Sequence, residues 1–104
     1  METSMVYERC LGWYDGPQLF IAYGNNKAQK HLCLWVDDDP ELWLCFSITS
    51  QNLAKYEKSR LTLHAVFGMA EEYHLVKDVQ FDGSPFGVEL IDSKEVKEEW
   101  WPGE

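Results

Sequence analysis

The first half of the chain alternates short apolar segments with turn residues. β-Forming residues dominate 5–14, 19–23, 32–36 and 42–48, and Gly, Pro, Asn or Asp residues separate each segment from the next. Antiparallel strands can be joined by turns of this length, whereas parallel strands need a long crossover. The pattern therefore predicts a four-stranded antiparallel β-meander.

The hairpin around Asp39 also predicts a strand register, because facing residues in an antiparallel pair have a constant index sum. The turn places Val36 opposite Leu42. The same sum places Cys33 opposite Cys45. Side-chain alternation then assigns ten residues to one apolar face that forms the core: Leu19, Ile21, Tyr23, Leu32, Leu34, Val36, Leu42, Leu44, Phe46 and Ile48.

The opposite face of this sheet is also apolar. It carries Phe20, Ala22, Cys33, Trp35, Trp43 and Cys45. This composition does not suit a face exposed only to water, so we expect another part of the molecule to cover it. The helices that follow the meander are the expected cover, with Trp13, Trp35 and Trp43 packed beneath them.

The periodicity changes after residue 48. Ser50 is the predicted N-cap of a short helix over 51–58. Thr62 is the predicted cap of a second helix over 63–67 that stops near Gly68.

After the helices, segments 73–79 and 87–91 read as a second pair of strands around the turn 81–86. The fold class is therefore α+β: an antiparallel meander of about four strands, two short helices and a further strand pair. We expect a single globular domain over residues 1–104, in which 93–104 form an acidic, Trp-containing C-terminal arm or one or two helical turns.

The composition agrees with one domain. The chain has 104 residues, 45% hydrophobic and 26% charged, enough for one core and too few for two. No apolar run reaches the roughly 18 to 20 residues that cross a bilayer, and the first residues lack a signal-peptide pattern. Three cysteines without C-x-x-C spacing favour a reducing compartment and free thiols. We expect a cytoplasmic protein that does not bind membranes.

The charge is distributed unevenly along the chain. The formal net charge is −9, of which the first 60 residues carry only −2, and residues 61–104 hold ten acids against three bases. A negative field repels phosphate backbones and attracts basic surfaces. We therefore expect a basic protein partner and no direct nucleic-acid binding, although acidity also serves solubility.

Motifs for metals and catalysis are weak. The acidic run 37–41 has Pro40 where a calcium loop needs a different turn. The cysteines and histidines lack the short spacing of a zinc knuckle, so buried free thiols are favoured, while the facing Cys33 and Cys45 leave a zinc site or a redox pair open. No nucleophile elbow or phosphate-binding loop is present. The sequence thus predicts neither an enzyme nor a cofactor.

Aromatic residues make up 14% of the chain, and interfaces favour Trp and Tyr because each buries a large area at little entropic cost. Trp100 and Trp101 are adjacent, so they cannot point the same way on a helix or a strand, and at least one is expected to dock onto the domain or a partner. Acids would steer association and tryptophans would anchor it. The predicted partner-binding residues are Glu89, Asp92, Glu95, Glu98, Glu99, Trp100 and Trp101.

Several segments follow a common order. Residues 14–20 contain an aromatic-Asp-Gly-Pro turn and a Leu-Phe strand, 34–37 end a strand on aromatic-Val-Asp, 48–53 enter a helix, and 61–63 begin a second. Over residues 11–80 this order resembles a small bacterial family of uncharacterised function. The resemblance implies an α+β domain from bacterial or phage-associated genomes and brings no known active site.

These observations lead to an expected function. We expect a non-enzymatic acidic interaction module that inhibits or regulates a basic nucleic-acid-handling partner, as an antitoxin, immunity protein or counter-defence factor does. The alternative is a small-ligand or metal-binding sensor domain that uses the face with Cys33, Trp35, Trp43 and Cys45. An enzyme is the third alternative.

Overall fold

The computed structural model describes residues 4–13, 17–24, 29–38 and 41–102. The predicted turns at 15–16 and 25–26, the hairpin tip at 39–40, the side chain of Trp13 and the last two residues lie outside the described residues. The described part forms seven strands and two α-helices, followed by 3-10 turns at Ser93–Glu95 and Glu98–Trp100. The elements are β1 (Ser4–Trp13), β2 (Pro17–Tyr23), β3 (Lys30–Asp38), β4 (Glu41–Ile48), α1 (Ser50–Glu57), α2 (Leu63–Gly68), β5 (Tyr73–Val76), β6 (Phe86–Gly87) and β7 (Glu89–Ile91).

The meander is confirmed, since β1, β2, β3 and β4 pair consecutively and antiparallel. The predicted register is confirmed where Cys33 faces Cys45. It is wrong at the hairpin end, where Asp37 and not Val36 lies opposite Leu42. The reason is a β-bulge after Trp35, which places one extra residue in β3.

The two ends of the sheet are held by one short segment. The strand order is β6-β1-β2-β3-β4-β5-β7. β6 pairs with β1 through Met5 and Phe86, and β7 pairs with β5 through Tyr73 and Ile91. Val88 alone separates β6 from β7, so segment 86–91 reaches both ends and the sheet must curl towards it. The predicted pairing of the last two strands is confirmed, but β5 ends at Val76, and the pairing with β1 was missed.

The helices pack on the predicted core face. Leu53 of α1 and Val66 and Phe67 of α2 are buried against it. Tyr23 was assigned to this core, but it is half-buried, and the Lys30 Nζ lies 5.4 Å from the centre of its ring. The buried sheet residues of this cluster are Leu19, Ile21, Leu32, Leu44, Phe46, Ile48, Tyr73 and Ile91.

The second sheet face is buried by a different segment from the one expected. Trp43 is buried there beside Phe20, and the ring of Phe81 lies 5.9 Å and 5.4 Å from those two rings. Phe86 belongs to the same cluster, and Val79 and Val88 pack against it. The expectation that Trp35 and Trp43 lie beneath the helices is therefore wrong. Since α1 and α2 occupy the first face, the chain that follows β5 covers the second.

Cys33 and Cys45 face each other across β3 and β4, with 4.0 Å between their Cα atoms, and form a disulfide. The preference for free thiols is therefore wrong for this pair, while Cys10 is free. The register placed the two cysteines together, but the count and spacing of the cysteines pointed to a reducing compartment. The strand register shows which cysteines are neighbours in space, whereas their spacing in the sequence does not.

Threonine hydroxyls cap both helices. Thr62 Oγ1 accepts from the Ala65 N–H at 3.0 Å, which confirms the predicted cap of α2. In α1 the cap is Thr49 and not Ser50, because Thr49 Oγ1 accepts from the Asn52 N–H at 3.0 Å and Ser50 is already the first helical residue.

Removal of the α1 cap tests this assignment. Thr49→Ala is expected to lower the free energy of unfolding by about 1 kcal/mol, because it leaves the Asn52 N–H without its side-chain acceptor. Thr49→Ser keeps the hydroxyl and is the matched control. Urea denaturation of both variants measures the difference, and equal losses would contradict the assigned cap.

Tyr73 links β5 to the end of α2. Its hydroxyl donates to the Phe67 carbonyl oxygen at 2.7 Å, and burial raises the pKa of the phenol above its usual value of 10.0. Tyr73→Phe is expected to lower the free energy of unfolding by about 0.5–1.5 kcal/mol at neutral pH, since it removes one hydrogen bond. Chemical denaturation measures the change.

The raised pKa also predicts a pH dependence. The unfolded phenol ionises first, so the stabilisation is complete below pH about 10 and is lost as the pH rises through the folded pKa. Stability should therefore fall less steeply above that pH in Tyr73→Phe than in the wild type. The pKa of Tyr56 is also raised by burial, so some slope should persist. Identical alkaline slopes in both proteins would contradict the assignment.

Candidate protein-interaction surface

The C-terminal residues 93–102 fold against the helix side of the domain. Trp100 is 7% exposed and belongs to the core cluster with Phe67. The Lys97 Nζ lies 5.4 Å from the centre of the Trp100 ring. A buried indole does not reach a partner, so the anchoring role predicted for Trp100 does not fit this structure.

Trp101 lies on the surface at the end of α2. Its ring centre is 4.6 Å from that of Phe67 and 5.3 Å from that of His64, and 39% of the residue is exposed. The neighbouring Pro102 carbonyl oxygen lies 3.0 Å from His64 Nδ1. A Cβ on Gly68 would lie 3.6 Å from Trp101 Cζ3, so the indole packs closely on this glycine. Trp101 is held in place and still accessible.

All five acids of the predicted site are exposed. Asp92 and Glu95 form a capping box: Asp92 Oδ1 accepts from the Lys94 N–H at 2.9 Å, and Glu95 Oε1 accepts from the Asp92 N–H at 3.2 Å. These two carboxylates hold the first 3-10 turn in place. Glu89 lies in β7, and Glu98 and Glu99 begin the second 3-10 turn.

The structure adds residues that sequence reasoning missed. Glu71 and Glu72 line a groove with Leu90 and Asp92, and they also border a cleft lined by Met69. Met69 is 54% exposed and Leu90 is 41% exposed. The connector 69–72 carries no periodicity, so the pattern gave no reason to select it. The sequence feature that could have identified this surface is a Met followed closely by two acids in a short connector.

A hydroxyl fixes the conformation of this connector. Ser47 Oγ accepts from the backbone N–H groups of Glu71 and Glu72 at 2.9 Å and 3.0 Å. Trp101 packs on Gly68, the residue before Met69. We give the name acidic-apolar surface to Met69, Glu71, Glu72, Leu90, Asp92 and Trp101.

The acids beyond residue 60 are not neutralised within the described residues. The three ion pairs found there join Arg9 to Glu57, Arg9 to Glu8 and Lys30 to Glu8, all in the first 60 residues. No acid after residue 60 forms an ion pair with a described Lys or Arg. The negative potential of the C-terminal part therefore extends into solvent.

Comparisons with known proteins supply no relative: no protein-family model, curated protein or solved structure matches this chain. The resemblance to a small bacterial family stays a prediction. No helix among the described residues has the length and apolar character that a bilayer crossing requires. What the geometry defines is a small α+β domain with an acidic-apolar surface.

Truncation of each tryptophan should change the free energy of unfolding by different amounts, because one indole is buried and the other is exposed. Trp100→Ala is expected to lower the free energy of unfolding by about 3–5 kcal/mol, because it leaves a cavity in the core. Trp101→Ala should cost clearly less, because Trp101 is 39% exposed and packs against one side only. Urea denaturation measures both, and a larger loss for Trp101→Ala would contradict this placement.

Proposed function

We propose that this chain is a non-enzymatic interaction module of bacterial or phage origin that binds a basic protein partner through the acidic-apolar surface. The partner class is a protein that handles nucleic acid, which the module inhibits or regulates in the manner of an antitoxin, immunity protein or counter-defence factor. Its basic site would meet the acids, and its own apolar residues would meet Met69, Leu90 and Trp101.

The observation that supports the proposal is the combination of three exposed apolar side chains with acids that form no ion pair within the described residues. Protein interfaces draw most of their binding energy from a few large side chains that become desolvated. Complementary charge around them increases the association rate and excludes wrong partners. Met, Leu and Trp supply the first element here, and Glu71, Glu72 and Asp92 supply the second.

The charge also favours one kind of partner. A surface that repels phosphate does not bind nucleic acid directly, but it matches a protein groove that attracts phosphate. Occupation of such a groove would block its nucleic acid by competition. In this proposal the acidic surface inhibits the partner by competition with nucleic acid, and inhibition requires no catalytic group on this chain.

The alternative from another class is a metal-binding sensor domain. It is favoured by two cysteines and two histidines that are buried on the second sheet face. This function would use the opposite side of the sheet from α1 and α2.

Affinity capture from cells of the encoding organism tests the proposed surface. The wild-type chain should retain a basic protein, and the retained amount should fall as salt is raised because part of the attraction is electrostatic. The variant Glu71→Gln/Glu72→Gln/Leu90→Ser should lose most of that protein. Mass spectrometry identifies and quantifies it.

A matched control carries the same number of neutralised acids elsewhere. Asp38→Asn/Asp78→Asn changes two exposed carboxylates outside the acidic-apolar surface. It should retain the partner at nearly the wild-type level. Equal loss in control and variant would show that only net charge matters, and unchanged retention in the variant would contradict the proposed surface.

A further inference from the structure

Four side chains with metal-binding chemistry lie on the second sheet face. His31 and Cys33 are two residues apart on β3, so they point to the same face. Cys45 on β4 faces Cys33 on one side and His74 of β5 on the other. All four residues are at most 2% exposed. The fold thus gathers two cysteines and two histidines from three adjacent strands, with no short sequence spacing to reveal them.

The two imidazole rings meet across β4. Their centres are 5.7 Å apart, and their planes are inclined by 78°. Two imidazoles bound to one tetrahedral zinc, with Zn–N distances of about 2.0–2.1 Å, have ring centres about 5 Å apart. The separation of the two histidine rings is close to this value.

In the disulfide form the two sulfur atoms are bonded to each other. Accordingly, no group of three or more His, Cys, Asp or Glu among the described residues is arranged to hold a metal ion. Reduction changes this chemistry. A dithiol reductant gives two electrons and two protons to the S–S bond and is itself oxidised to a disulfide, which leaves Cys33 and Cys45 as thiols.

We infer that the reduced protein binds one zinc ion through His31, Cys33, Cys45 and His74. Zinc binding then displaces one proton from each thiol into solvent, and the histidines bind as neutral imidazoles. The sulfur and nitrogen ligand set is that of structural zinc sites. Oxidation to the disulfide and zinc binding exclude each other, so the site reports the redox state.

Charge balance favours zinc at this buried position. Two thiolates, two neutral imidazoles and one Zn²⁺ sum to zero, so the complete site places no net charge in the interior. A cleft of about 320 Å³ lined in part by His31 and Ser47 gives a route towards solvent at the start of β3 and the end of β4. The reducing compartment that the sequence predicts would maintain the thiols.

Metal titration of the full chain in both redox states tests the inference. The reduced protein is prepared by refolding in a phosphine reductant without oxygen or metal, and Zn²⁺ is added in competition with a chromophoric chelator. We expect one zinc per chain in the reduced form and none in the disulfide form. We also expect a higher Tm of the reduced form with zinc, because zinc binds the folded state.

Matched variants identify the ligands. Cys33→Ser and His74→Gln should each weaken zinc binding more than about tenfold. Cys10→Ser and His64→Gln change a cysteine and a histidine outside the cluster and should leave it unchanged. X-ray absorption of the wild-type zinc complex requires no variant to fold, and it should show two sulfur ligands at about 2.3 Å and two nitrogen ligands at about 2.0–2.1 Å.

Four results would overturn the inference. The first three are equal zinc binding by the reduced and disulfide forms, no zinc bound by folded reduced protein, and an absorption spectrum without two sulfur ligands. Loss of binding in Cys10→Ser or His64→Gln would also overturn it, because it would place the ion elsewhere. The acidic-apolar surface shares no residue with the four proposed ligands, so these results test the zinc site by itself.

Discussion

Both faces of the meander are apolar, and this constraint determines the rest of the structure. Leu44 and Phe46 are buried on one face of this sheet, and Phe20 and Trp43 are buried on the other. Each face therefore needs a cover. The second half of the chain supplies both, first with the helices and then with the segment after β5. Segment 86–91 completes the arrangement by pairing with Ser4 and Met5 at the start of β1 and with residues 73–75 of β5.

The same constraint explains where the functional groups lie. The apolar residues of the second half are mostly used as cover, and even Trp100 enters the core. Its acids remain mostly outside, and a few large apolar side chains also stay exposed, namely Met69, Phe81, Leu90 and Trp101. The two cysteines and two histidines of the proposed zinc site are buried on the second face. The proposed partner binding therefore uses residues that this packing leaves exposed, whereas the proposed metal binding uses residues that it buries on the second face.

The sequence was sufficient for the parts of the fold that depend on regular alternation. The consecutive pairing of β1 to β4 follows from the short turns, and the opposition of Cys33 and Cys45 and the division into two apolar faces follow from a period of two. The bulge after Trp35 was not predictable, because an index sum assumes a regular ladder. Which face the helices cover depends on the path of the chain across the sheet, and this path leaves no periodic signal. For the candidate site, the adjacency of Trp100 and Trp101 in the sequence predicts that at least one of them docks onto the domain or a partner. Only tertiary contacts identify Trp100 as the tryptophan that is buried in the core.

Segment 86–91 holds β1 and β5 together by pairing with both strands. Hydrogen exchange followed by mass spectrometry tests it directly in Phe86→Ala, where the side chain that faces Met5 is truncated. We expect faster exchange in residues 4–7 and 73–76 alike, with the central strand β3 close to its wild-type rate. Faster exchange confined to 86–91, with both β1 and β5 unchanged, would contradict it.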